Sequence, residues 1–154
     1  MVRLSDLPSY EAEHLRNKRC APLGPPVWVA APTLAEAKVA LITTAGLHPR
    51  DDRSFTMTDA SYRVLPSDKG ADDWVMTHTS VNFDRSGFQD DINVVLPIER
   101  LRELVTDGVV GAEATYHYSF MGAGLEPAAY EKTAIEVAEF LRRDHVNLAF
   151  LTPV

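Results

Sequence analysis

The chain has 154 residues, with 45% hydrophobic and 24% charged side chains, and 15 basic against 22 acidic residues give a net charge of -7. That size suits one domain with its own core. The acidic balance, with no basic run long enough to override it, argues against a general affinity for nucleic acid or for an anionic membrane surface.

The N-terminal "MVRLSDLPSYEAEHLRNK" lacks the apolar core of a signal peptide, and no stretch is long and apolar enough to span a bilayer. A cytoplasmic location is therefore expected. The single cysteine, Cys20, cannot form an internal disulfide. It lies between "RNKR" and "APLGPP" with no base near it in sequence, so it reads as an incidental thiol rather than a nucleophile.

In chain order, residues 6–19 read as a short helix with Asp6 or Ser9 as its cap. "APLGPPVWVAAP" carries four prolines and must be extended, with Trp28 as a packing anchor. Residues 1–32 thus form a helix and a proline-rich arm, and residues 33–154 a separate α/β domain. Thr33 and Glu36 suit a capping box for one turn, and "KVALITTAG" is the first strand. A loop-rich stretch follows, with a short strand around Tyr62 to Leu65. "WVMTHTSV" is the next strand, alternating between two faces.

From Pro97 the pattern becomes helical, with Leu101, Leu104 and Val105 on one face and Gly108 where a C-terminal cap belongs. "EATYHYSFMGAG" is a third strand. Glu126 and Pro127 open a long helix, and "NLAFLTPV" is an apolar last strand. The order strand–helix–strand–helix–strand predicts a mainly parallel open sheet with flanking helices. Strands at 38–44, 73–79, 113–119 and 147–153 are all expected to point the same way.

In such sheets ligands gather at the carboxyl ends of the strands. Those ends carry "TTAGLH", "THTS" and "YSFMG", which bring His48, His78 and Ser119 to one rim with Val154. Asp84, Asp91 and Asn93 come from the polar loop after His78; Asp91 and Asn93 also suit the shaping of the Pro97 helix start. Arg63 has the geometry to hold a substrate carboxylate, or equally to form a surface ion pair. His117 reads as a satisfied core residue and His145 as a helix-end cation. No phosphate loop, cysteine pair or helical histidine pair is present.

The stretches "KVALITTAGLH", "SYRVLP", "THTSVNFD", "DINVVLPIERLRELVTDGVVG" and "YSFMG" together resemble the selenoprotein B family of the glycine, sarcosine, betaine and D-proline reductases, most closely its short D-proline reductase branch. The resemblance spans residues 25–154 and is most specific from Asp91 to Gly111. It implies reductive cleavage of a carbon–nitrogen bond in an amino acid or derivative, by a selenol or thiol resolved with a dithiol. It also implies other reductase subunits as partners, one carrying a pyruvoyl or other carbonyl group. In this family the last matched strand, here "LTPV", runs directly into the selenocysteine or cysteine, so the sheet is expected to be incomplete on its C-terminal side.

Two accounts follow. A UGA selenocysteine codon was read as stop, or the chain is a split or degenerate subunit; a TGA codon and a continuing frame downstream of Val154 would distinguish the first from the second. The leading functional reading is the scaffold and substrate-side part of a selenol- or thiol-dependent reductase. In it His78 and His48 are candidate proton donors, Asp84 and Asp91 orient a histidine, and Arg63, Asn93 and Ser119 bind a small amino-acid-like substrate. A second reading is a non-catalytic binding or assembly subunit. A third, with His48, His78 and Asp84 as metal ligands, has no defined geometry to support it.

Overall fold

The fold is organised around one strand. In the computed structural model, which describes residues 3–17, 24, 28–80 and 85–154, β1 (Lys38–Thr43) buries Val39, Ala40 and Leu41 in succession, so both of its faces are covered. That is the signature of a central strand in a parallel sheet. The other elements in chain order are α1 (Ser9–Asn17), β2 (Leu47–Pro49), β3 (Tyr62–Pro66), β4 (Trp74–Met76), α2 (Ser86–Asp90) and α3 (Ile98–Thr106). They are followed by β5 (Ala112–Glu113), β6 (Tyr116–Phe120), α4 (Glu131–Arg143) and β7 (Leu148–Thr152).

β1 pairs in parallel with β5 and β6 along one side and with β7 along the other, where Val39 faces Leu148 and Thr43 faces Thr152. β3 closes the far side by antiparallel pairing with β6. The sheet is thus mostly parallel, in a mixed α/β fold.

One expected strand lies elsewhere. The stretch 73–79 supplies β4, which pairs antiparallel with β2 in a separate two-stranded sheet instead of joining the parallel sheet. The cause is local. Gly46 adopts φ +67°, a conformation open to glycine, and turns the chain out of the sheet straight after β1. Thr77 N–H then donates to Gly46 O at 3.0 Å, which fixes the hairpin-like partner. An alternating pattern identifies a strand but not its neighbour.

The expected strand 113–119 is broken in two, and the break is filled by side chains. His117 is fully buried, and its Nδ1 accepts from Leu41 N–H at 3.0 Å. Its Nε2 therefore carries the proton and donates to Glu113 Oε1 at 2.9 Å. Across the gap, Asp144 accepts from Thr115 N at 2.7 Å, Thr115 Oγ1 at 2.8 Å and Lys38 Nζ at 2.6 Å.

Burial works against the Asp144 charge, but the Lys38 and Thr115 hydrogen bonds outweigh it and hold the carboxyl below its usual 3.8. A depressed folded-state pKa contributes stability above the unfolded value and loses it as pH falls through the folded one. Asp144→Asn is expected to cost about 2 kcal/mol at pH 7. The difference from the parent in urea unfolding should shrink below pH 4, since the parent's advantage disappears there.

α3 lays Ile98 and Leu101 on the core beside Val39 and Leu41, and Gly108, at φ +71°, ends it as expected. α4 covers the opposite side more lightly: Val137 is its one buried residue, Thr133 Oγ1 donates to Ala60 O at 2.9 Å, and Phe140 meets the edge of Tyr62. Trp28 is 90% exposed and anchors nothing, because no described element lies over the extended arm. β7 has no strand partner on its outer edge among the described residues, and Phe150 and Leu151 on it are 50% and 65% exposed. No described helix is long and apolar enough to cross a membrane.

Candidate functional site

The carboxyl end of β1 is where the chain's polar groups collect. Directly after β1, Thr44 N–H donates to Thr152 O at 3.2 Å, and Thr44 Oγ1 accepts from Val154 N at 2.8 Å. The end of the last strand is therefore pinned to the turn that follows the first. Gly122 lies against the same threonine: a Cβ there would fall 2.5 Å from Thr44 Cβ, so only glycine permits the approach. Thr79 Oγ1 reaches Met121 Sδ at 3.3 Å, and a Cβ on Gly46 would fall 3.0 Å from His78 N. Thr44, Thr79, Met121, Gly122 and Val154 thus share one rim.

His78 stands at this end of the sheet and is buried. Ser80 N–H donates to its Nδ1 at 3.2 Å, which places the proton of the neutral ring on Nε2. Arg85 Nη2 donates to the His78 carbonyl, and to Ser80 O at 3.4 Å. Burial, and then the Arg85 charge, push the His78 pKa below 6.5. The folded protein then binds fewer protons here than the unfolded chain, so stability falls as pH drops below about 6.5 and continues down to the folded pKa. Replacing His78 by Gln is expected to remove this part of the acid sensitivity, which unfolding midpoints measured from pH 7.5 to 5 will show.

His48 lies in β2, 3% exposed. Its Nδ1 donates to Pro49 O at 2.6 Å, since a carbonyl can only accept. That leaves Nε2 as a bare acceptor, buried and without a hydrogen-bond partner among the described residues. Phe55 packs edge-on against the ring at 6.5 Å, and its N–H is held by Thr77 Oγ1 at 2.9 Å. Ser119, fully buried, accepts from Leu47 N–H at 2.8 Å and so fixes the strand that carries His48.

The structure sets Ser119 opposite Thr43 at the end of β1 and His78 against Gly46, and Ser119 holds the strand that carries His48; Arg63, the cross-strand partner of Ser119, lies close to them, while Asp91 and Asn93 stand at the start of α3. Arg63 is 4% exposed, and each of its five N–H donors has a protein acceptor: Arg53 O, Ser61 Oγ, Tyr62 O, Ser54 O and Asp59 Oδ2. Its guanidinium also lies 4.1 Å over Phe55. No donor is left for a substrate carboxylate in this arrangement. Asp91 Oδ1 accepts from Asn93 N, and Asn93 Oδ1 accepts from Glu99 N at 3.1 Å, so this pair shapes the start of α3. Asp84 and Cys20 lie outside the described residues. Among the described residues no group of three or more potential metal ligands is gathered.

Sequence reasoning did not single out Thr44, Gly122 or Phe55. A glycine following an alternating strand was the available signal for Gly122. Thr44 and Phe55 gave none, because their roles depend on contacts across 110 and 22 positions.

The sequence profile of the family described as glycine/sarcosine/betaine reductase selenoprotein B (GRDB) matches residues 14–154. The D-proline reductase subunit gamma of Acetoanaerobium sticklandii is 34% identical over 131 residues, covering 83% of this chain and 53% of the relative. The glycine reductase complex component B subunit gamma of Symbiobacterium thermophilum is 30% identical over 135 residues, 85% of this chain and 30% of the relative. The sarcosine reductase complex component B subunit beta of Peptoclostridium acidaminophilum is 28% identical over 129 residues, 80% of this chain and 29% of the relative. No solved structure matches. The chain spans about half the length of the first of these relatives and under a third of the others. With nearly its whole length matched, the chain belongs to the glycine/sarcosine/betaine reductase selenoprotein B family.

Proposed function

We propose that the chain is a subunit, or part of one, of a cytoplasmic reductase complex that cleaves a C–N bond of a small amino acid or derivative at the expense of a dithiol. The names of the relatives support the reaction class, and the rim at the Val154 end of the sheet supports the location of the chemistry. The reaction breaks C–N, forms C–H and N–H, and oxidises the dithiol to a disulfide, which provides both electrons and both protons. A selenol or thiol supplies the nucleophile, and a carbonyl group on another subunit activates the substrate.

The role of this chain's own residues is protonic and positional. An amine departs poorly unless protonated. The lowered His78 pKa makes its imidazolium a stronger acid, suited to give up a proton to that nitrogen once charged. The His48 Nε2 carries the reading most directly, since a buried acceptor without a partner among the described residues fits an N–H or thiol brought against it. Ser119 and Phe55 hold that ring in place and keep water from it.

The chain alone is expected to reduce none of D-proline, glycine, sarcosine or betaine with dithiothreitol. Reconstituted with the remaining subunits of a D-proline reductase and with a polypeptide that supplies the selenol or thiol, it should support turnover, and His48→Ala and His78→Ala should lower kcat about 100-fold. A complex that assembles and turns over equally with both variants would favour a non-catalytic assembly subunit.

A further inference from the structure

His48 poses a problem of access. Its ring is 3% exposed and its Nε2 is fully buried, so no small molecule reaches that nitrogen unless a covering element moves. One such cover is the loop of residues 51–58, between β2 and β3. Phe55 is the one buried residue in it, and the residues on both sides of Phe55 are exposed. The Phe55 ring lies edge-on to His48 and 4.1 Å beneath the Arg63 guanidinium. Phe55 N–H donates to Thr77 Oγ1 at 2.9 Å, and Arg53 O and Ser54 O accept from Arg63 at 2.7 and 3.4 Å. Farther along, the loop rests on the turn after β6, where a Cβ on Gly124 would fall 2.7 Å from Met57 O. It thus reaches from His48 to the turn that carries Gly122 of the rim.

We propose that residues 51–58 are a lid over His48, with Phe55 as its latch, which opens locally to admit a ligand to Nε2 and closes to exclude water from it. The latch seats on a fixed part of the protein. Arg63 keeps its bonds to Ser61, Tyr62 and Asp59 whether or not the loop lifts. A loop held by one buried side chain and a few hydrogen bonds opens far more readily than the strands beneath it. The inference deepens the reading of His48 and rests on it for its purpose. The lid itself is measured on the chain alone, so its failure is distinct from a failure of the reductase reading, which is judged by turnover.

The test labels the full chain with diethyl pyrocarbonate, which acylates a ring nitrogen with an available lone pair, and follows each histidine by peptide mass. His14 and His145 are exposed and serve as the open reference. His117, fully buried with both ring nitrogens engaged, is the closed one. His48 is expected to label about tenfold more slowly than His14 and about tenfold faster than His117, through local opening. Phe55→Ala should accelerate His48 about tenfold and leave His117 unchanged. If Phe55→Ala also exposes His117, the whole fold has loosened, and Thr77→Val decides: it keeps the ring, removes the acceptor of the Phe55 N–H, and should accelerate His48 about threefold. Labelling of His48 only together with His117, labelling as fast as His14, or no selective acceleration of His48 by either variant would each overturn the proposal.

Discussion

Replacing His117 by leucine is expected to cost about 3 kcal/mol of folding stability, because a fully buried backbone donor and a half-buried carboxylate lose the same partner. His117 Nδ1 takes the Leu41 N–H where the ladder between β1 and β6 is interrupted, and Nε2 satisfies Glu113. Leucine approximates the ring's bulk, so the change isolates hydrogen bonding from cavity formation. Glu113 retains Arg102 at 3.4 Å, which limits the loss on its side. The Leu41 amide lies in the middle of the central strand. Urea unfolding of the variant is the measurement. A loss below 1 kcal/mol would mean that water or a rearranged loop reaches the Leu41 amide, and that the histidine does not hold the break together.

Arg63→Met should be costlier, at about 4 kcal/mol, because it strands the Asp59 carboxylate in a buried setting. Asp59 and Arg63 meet at 2.9 Å with side-chain exposures of 12% and 4%. Burial opposes the Asp59 charge, yet hydrogen bonds from Ser61, and then Arg63, hold its pKa below 3.8. Removing the guanidinium also releases the backbone carbonyls of residues 53, 54 and 62, which fix the loop carrying Phe55 against His48. Arg63→Met combined with Asp59→Asn should recover part of the loss, since no buried charge then remains. Stability unchanged by Arg63→Met, with turnover in the reconstituted complex abolished, would restore Arg63 to a direct role with substrate.

Much of this scaffold was legible in the residues. β1, β6, β7, α3 and α4 announce themselves by apolar runs, alternation and helical spacing, and Gly108 ends α3 where glycine was expected to. What periodicity cannot carry is partnership. "WVMTHTSV" looks like another parallel strand until the left-handed turn at Gly46 sends the chain out to pair β2 with β4. The rule that ligands gather at strand ends directs attention to the carboxyl end of β1, where Thr44 meets Val154 and Gly122. The roles of individual side chains were harder to read. Arg63 and Asn93 are both suitable substrate ligands by residue type, and only their surroundings show one saturated within a loop and the other capping α3.

The connectivity of the sheet bears on how the chain is made. β1 leaves the ribosome early, but its neighbours lie far behind it: Leu41 meets His117 76 positions later, and Lys38 meets Asn147 109 positions later. At ordinary synthesis rates the interval to the last neighbour is on the order of 5–20 s. Until β5 and β6 are made a strand with apolar residues on both faces has nothing to pair with, its β7 side stays open for the whole interval, and pairing at such long separation is slow even once the chain is complete. The nascent protein therefore presents its stickiest segment first and shields it last. Its yield in a cell should depend on chaperones that hold the stretch around Val39 and Leu41 until β7 arrives, far more than the stability of the finished fold would suggest.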